Sequence, residues 1–415
     1  MFLSSSKINK KTSLINITLL FACSLITILI IEVICSKLYN TVPLIWYPHL
    51  DKGVRMLGQT SKNSTLPKNY VAIVGDSYAV GYGDLWLRAK RDSKFSTPEY
   101  HSGHFLHREI KKDVVVWGDG GRGHFRTLIS DAIGQFEYIN SLWPYQLDKP
   151  DIVLVYFYEG NDVWDNYQEM RFFFSDNNNL DAILEPHFFQ QQIKKKLLDN
   201  NPVIDQKAIL RNLIFTRSII NGFKNLMRNY VKNLIDIAPQ DKRPPPISKA
   251  LIASKEYLLP VDIQAPPINL TKKEVELSLY GFEQAMLFFQ NFFKSSEIKI
   301  IYIPSPLTSY NLVSKNVYYT GARDEKGLLA KSREIEENSS KVCQRVANVA
   351  KSLKVDFLDS RDSIREVAEN NLIHGPIDWG HFNEKGYTAL TNAIIQAFFS
   401  DAPNPSFQCK TFQKS

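Results

Sequence analysis

Beyond residue 69 the chain alternates between two hydrophobic patterns. Short apolar runs recur as VAIV (71–74), VVVW (114–117), IVLVYFY (152–158), IKIIYI (298–303) and VDFL (355–358). They have strand length and little polar alternation, which marks strands covered on both faces. Between them lie longer stretches with helical spacing: FRTLISDAIGQFEYINSLW, TKKEVELSLYGFEQAMLFFQNFFKSS and SREIEENSSKVCQRVANVAKSL, with NEKGYTALTNAIIQAFF closing the body. In the second of these, Thr271 reads as an N-cap with Glu274 at the third helical position. This alternation predicts an α/β fold, a parallel sheet enclosed by helices.

Two segments interrupt the pattern. From about 164 to 270 no clear strand is visible. ILEPHFFQQQIKKKLLDN and NLIFTRSIINGFKNLMRNYVKNLI read as helices, and PQDKRPPPISK as a proline-rich loop. The expectation is an insertion that packs its apolar face on the main domain, in preference to a cap or a membrane-lying surface. From Thr308 to Lys331 a tyrosine-rich stretch is a candidate lining for a cleft.

The N-terminal pattern differs from both. LINITLLFACSLITILIIEVIC runs apolar from Leu14 to Cys35. As a helix it measures about 33 Å, close to the hydrocarbon thickness of a bilayer. The run continues past the lipoprotein-like LFAC, and no small-x-small cleavage site follows, so an uncleaved anchor is favoured over a removed signal. Lys7, Lys10 and Lys11 precede it, which places the N-terminus in the cytoplasm and the body outside. In a bacterium with an outer membrane, that means a single-pass inner-membrane protein with a periplasmic body. The expected organisation is a tail and anchor (1–36), a linker (37–69), a main domain (70–400) carrying the insertion, and a C-terminal tail (401–415).

Composition adds limits. The chain has 415 residues, 44% hydrophobic and 22% charged, with a net charge of +7. No basic stripe interleaved with aromatics appears, so nucleic acid is not an expected partner. Cys23 and Cys35 fall in the apolar run, leaving Cys343 and Cys409 as two distant cysteines able to form one disulfide. No Cys/His cluster suggests zinc. His101, His104 and His107 have one-face helical spacing, but no further ligand completes a metal site, and capping or solvated roles are favoured.

Four short motifs fall where strands end or the last helix begins. They are Gly75-Asp76-Ser77, then GDGGRGHF from Gly118, then EGND with Asn161 and Asp162, and finally DWGH with Asp378 and His381. Ligands of open parallel sheets bind at the carboxyl ends of the strands. A serine hydroxyl needs a base, and His381 supplies one. Asp378 can orient that imidazole. The backbone N–H groups of Ser77 and Gly123 and the Asn161 amide are candidate donors to an oxyanion. Asp76, Arg122, His124 and Asp162 are candidate substrate contacts, with Arg126 as a second cation for an anionic group. Alone, each motif is an ordinary turn, loop or cap. GDGGRG also fits a dinucleotide pattern, but it lies beyond the first strand and lacks a clear ribose-binding acid downstream.

The four motifs together resemble the SGNH/GDSL hydrolase superfamily, named for a serine, a glycine, an asparagine and a histidine. They match Ser77, Gly123, Asn161 and His381, with Asp378 as the usual partner of the histidine. The likeness covers roughly residues 70–162 and 272–399. It implies a flavodoxin-like α/β/α sandwich with a five-stranded parallel sheet, and serine-dependent ester hydrolysis or acyl transfer without metal or cofactor. Glu159 stands where the family usually has the first glycine of its third block, and Gly121 rivals Gly123 as an oxyanion donor. The expected function is hydrolysis or transfer of an ester-linked acyl group, O-acetyl in the first instance, on an envelope glycan or related substrate. The alternatives are a non-catalytic glycan-binding or assembly module, and a lipase or thioesterase whose apolar groove would be lined by Phe188, Phe189 and Phe215.

Overall fold

The computed structural model describes residues 10–42, 47, 50–92, 99–174, 185–195, 213–233, 246–323, 325–401 and 409. Lys7, most of the proline-rich loop, most of the C-terminal tail and the side chain of Phe188 lie outside them.

The five apolar runs are the five strands of one parallel sheet: β1 (Val71–Gly75), β2 (Val114–Gly118), β3 (Ile152–Tyr158), β6 (Glu297–Ile303) and β10 (Asp356–Asp359). Their order is β10-β6-β3-β1-β2. Successive residues feed opposite cores, as the two-residue strand period dictates. Ala72, Val74, Val153, Val155 and Phe157 enter one cluster with Phe125, Phe282 and Val346. Val71, Ile73, Leu154 and Tyr156 enter another with Phe105, Leu390 and Ile394. Helices therefore cover both faces.

The helices, in chain order, are α1 (Lys10–Leu38), α2 (Ser77–Val80), α3 (Asp84–Asp92), α4 (Ser102–Ile110), α5 (Gly134–Asn140, entered through a π-wound stretch, Phe125–Ile133), α6 (Asp162–Phe174), α7 (Pro186–Ile193), α8 (Ile214–Asn233), α9 (Lys272–Phe292), α10 (Pro306–Ser309), α11 (Ser332–Leu353), α12 (Arg361–Ala368) and α13 (Glu384–Phe398). The Thr271–Glu274 capping box opens α9 as the sequence predicts. α6 and α7 pack on α9 through Met170, Phe174 and Phe189, so this part of the insertion lays an apolar face on the main domain.

Three features depart from the sequence reading. The insertion does contain strands: β4 (Lys249–Ile252) and β5 (Lys255–Leu258) form a hairpin and pair with β7 (Asn311–Leu312). Ala253 and Ser254 make its turn at positive φ without glycine, and the β5 side chains are exposed, so no hydrophobic pattern announces it. The tyrosine-rich stretch forms β7, β8 (Asn316–Tyr319) and β9 (Leu328–Lys331), with Tyr310 and Tyr319 buried in the core. The expected linker is folded. Val54, Met56 and Leu57 are buried, and Gln59 and Ser61 bond the backbone of Val114 and Val116, covering the open edge of β2.

The apolar run Leu14–Cys35 lies within α1 and is long and apolar enough to cross a membrane. Its C-terminal end is docked. Glu32 is buried and accepts the N–H groups of Phe215 and Thr216 in the first turn of α8, each at 2.8 Å. Cys343 and Cys409 form a disulfide spanning 66 residues, tying the C-terminal region to α11. A loop of that length corresponds to about 4 kcal/mol in the chain-entropy account.

Candidate active site

β1 and β2 end in register at Gly75 and Gly118, and β3 ends beside them. A Cβ on Gly118 would fall 2.0 Å from the Gly75 carbonyl oxygen, so this glycine serves strand contact. After Gly75 the chain turns sharply. Asp76 caps α2 by accepting from the Tyr78 N–H, and Ser77 is its first residue. α2 lasts four residues and stops at Gly81, whose φ of +85° only glycine adopts readily. A Cβ there would also strike His101.

On the opposite side, the loop before α13 carries the partners. His381 Nε2 lies 2.9 Å from Ser77 Oγ, and His381 Nδ1 lies 2.7 Å from Asp378 Oδ2. Asp378 can only accept, which assigns the Nδ1 proton to His381 and leaves Nε2 to accept from the serine. Burial raises the Asp378 carboxyl, but the hydrogen bond and charge of His381 and the Gly380 N–H outweigh it, holding it below the usual range. Ser77 Oγ also lies 3.1 Å from Asp76 Oδ2, so its proton has two acceptors. Burial pushes the Asp76 carboxyl up, against the Tyr78 N–H, His381 and Asn161. This arrangement can pass a serine proton to an imidazole and stabilise the imidazolium that results.

The expected oxyanion donors fare differently. The Gly123 N–H is taken by Glu169 Oε1 at 2.9 Å, and the Asn161 amide donates to Asp165 at 3.0 Å and bonds Asp76. Gly123 is therefore not a ready oxyanion donor; it lies at the start of a helix that α6 caps. Asn166 takes the next N–H, that of His124, and Glu169 also reaches the Arg126 N–H at 3.2 Å. Gly121, at φ +67°, has open space about it.

The expected substrate contacts have partners within the protein. His124 is buried, stacks on Phe157 and bonds Asn166 and the Tyr156 carbonyl, so its role is internal. Burial holds its ring down to about 4. Asp162 is buried and accepts from the Tyr158 N–H. Arg122 pairs with Asp119 and Asp131, and Arg126 lies over the Phe172 and Phe173 rings with Nε 3.6 Å from Glu169. Glu159 points away from the serine, into a buried cluster at the ends of β3 and β6. His101 caps α4 and His107 bonds the Lys112 carbonyl just beyond its end, as a capping role predicts, whereas His104 is buried and bonds Thr60.

The sequence reading missed the aromatic surface next to His381. Tyr82 lies edge-on to that ring at 5.9 Å and stacks with Trp86 at 6.1 Å, both half-buried. Tyr82 stands between two glycines before α3 and Trp86 within it, so no helical spacing in the sequence announces the pair.

Glu169 makes a pH prediction. Burial, opposed by Arg126, drives its carboxyl from 4.5 up to about 8. A folded value above the unfolded one means the folded state holds the proton more tightly. Its contribution to stability is fully present below about 4.5 and lost as pH rises through about 8. Glu169→Gln keeps an acceptor and cannot ionise. The variant should gain on the wild type as pH rises across that window, by a few kcal/mol at about 1.4 kcal/mol per pKa unit. Denaturant midpoints measured from pH 4 to 9 check this; parallel curves for the two proteins would refute it.

Compared with models of known protein families, the chain matches none, and no curated protein matches it.

Proposed function

We propose that this protein is a serine-dependent esterase or O-acyltransferase of the SGNH type. The observation that carries the reading is the hydrogen-bonded chain Ser77–His381–Asp378, assembled from residues 304 positions apart at the carboxyl end of the sheet. Taken in chain order, the strands run 2-1-3-4-5, the order of flavodoxin-like sheets, which supports the sandwich that the resemblance implies.

In this mechanism Ser77 Oγ attacks an ester carbonyl while His381 Nε2 takes its proton. The Ser77 N–H and the Asn161 amide, turned from Asp165, stabilise the oxyanion. His381 then returns the proton to the leaving alcohol, and an acyl-Ser77 remains. Water, or a sugar hydroxyl deprotonated by His381, removes the acyl group. A complete nucleophile–base–orienter set supports catalysis over a binding module, which needs none of it.

The half-buried Tyr82 and Trp86 beside His381 support a glycan ester, since aromatic faces pack against sugar rings. The long-chain acyl reading loses support. Phe189 is fully buried in the core, and Phe215 sits at the foot of α1. An apolar α1 supports a membrane anchor, and the Cys343–Cys409 disulfide supports an oxidising space outside the cytoplasm, the periplasm in a bacterium with two membranes.

The test is a fluorophosphonate probe on the full-length, detergent-solubilised protein. The wild type should be labelled and Ser77→Ala should not. A folded wild type that stays unlabelled and cleaves no acetyl ester would sink the proposal.

A further inference from the structure

We infer that Asp84 is a positioning residue for the base, holding the loop of Asp378 and His381 against the serine turn. Asp84 opens α3, seven residues after Ser77, and is 1% exposed. Its carboxylate reaches across to the loop of the base. Oδ1 accepts the N–H of Ile377 at 3.1 Å and of Asp378 at 2.7 Å, almost 300 residues away in sequence. Arg88 stands 3.6 Å from its other oxygen and is half exposed. A buried carboxylate costs stability unless its acceptor sites are filled, and here two amides of the base loop fill them.

The loop needs such a tie. Residues 376–381 bury no side chain fully; Trp379 packs partly buried on the second core, but Ile377 is 52% exposed, so apolar packing alone does not fix the Ile377–Asp378 backbone. Hydrogen bonds do. Besides Asp84, the Tyr78 hydroxyl donates to the Gly380 carbonyl at 2.9 Å, and the Tyr387 hydroxyl donates to the Tyr82 carbonyl at 2.6 Å. Gly83 lies against Phe382 so closely that a Cβ would fall 2.3 Å from its carbonyl oxygen. Among these ties, Asp84 holds the backbone N–H of Asp378, while the Gly375 N–H holds its carbonyl at 2.9 Å and its side chain meets the Gly380 N–H and the His381 ring. A shift of about 1 Å in such a group can cost 100-fold in rate.

The rate readout rests on the proposed function; a second readout does not. Full-length wild type, Asp84→Ala and Asp84→Asn are compared for fluorophosphonate labelling, acetyl-ester kcat and KM, and thermal unfolding. The deshielded proton of the His381 Nδ1–H···Asp378 hydrogen bond is followed by NMR, assigned by its loss in His381→Ala. Asp84→Ala should lower the labelling rate and kcat 30- to 100-fold with KM within threefold, and should lose that proton signal. Asp84→Asn, which keeps the Oδ1 acceptor, should restore both to within about fivefold. Asp84→Ala with wild-type kcat and an intact signal overturns the inference. So does a loss that merely tracks the unfolded fraction and is not rescued by Asn. If the wild type shows no activity, the proposed function fails, and the NMR signal alone decides the role of Asp84.

Discussion

Replacing His381 with alanine should lower kcat on an acetyl ester by about 10⁴-fold or more, with KM little changed. The serine hydroxyl would lose its acceptor at 2.9 Å and keep only Asp76 at 3.1 Å. Asp76 is a poor substitute as a base. It is buried, and its carboxylate is already engaged by the Tyr78 N–H and the Asn161 amide, both of which favour its unprotonated form. The fold should survive, because the His381 side chain lies in a loop outside both cores, although Asp378 and the Tyr78 and Tyr82 rings each lose a contact. Steady-state kinetics beside an unfolding curve decide the matter. A folded variant within tenfold of the wild type would remove His381 from the mechanism.

The largest effect on stability should come from Glu159. It is fully buried and accepts from the Ser305 N–H at 2.8 Å, the Ser305 hydroxyl at 2.9 Å, the Tyr302 hydroxyl at 2.5 Å, the Ser339 hydroxyl at 2.6 Å and the Thr308 hydroxyl. These donors come from β6, α10 and α11, so one carboxylate joins three elements at the end of the sheet. Arg361, also fully buried and paired with Asp359, donates to the same Ser339 hydroxyl. Each buried donor left unsatisfied costs about 1–3 kcal/mol. Even with partial relaxation, Glu159→Ala should cost about 4 kcal/mol or more, against a typical total of about 5–15 kcal/mol. Glu159→Gln, with one acceptor oxygen, should fall between. Urea unfolding should show a lower midpoint with an unchanged slope. A loss under about 1 kcal/mol for the alanine variant would mean that water replaces the carboxylate in this cluster.

The strands and the Ser77–His381–Asp378 set were legible for definite reasons. A strand covered on both faces must be apolar throughout, so each run stood out from its surroundings. The three polar residues were recognisable because few residue types can perform those steps. What escaped was long-range pairing of polar atoms. Nothing around Gly123 says that its N–H faces a carboxylate 46 residues on, and nothing around Asp84 points to Ile377. Gln59 and Ser61 looked like linker because their bonds run to the β2 backbone and leave no periodic trace. The β4–β5 hairpin turns on Ala253 and Ser254, without the glycine or asparagine that usually marks such turns.

The seat of Glu32 under α8 bears on how the protein can be handled. Trimming the chain after Leu38 to obtain a water-soluble fragment discards the carboxylate that receives Phe215 and Thr216. The first turn of α8 must then turn to solvent or fray. Arg217, which follows in that turn and joins Asp51 and Tyr138, would lose its alignment with it. Convenience of purification and integrity of the insertion thus pull in opposite directions at a single glutamate. A fragment that keeps residues 30 to 38 carries a short greasy stub but retains the native register of α8.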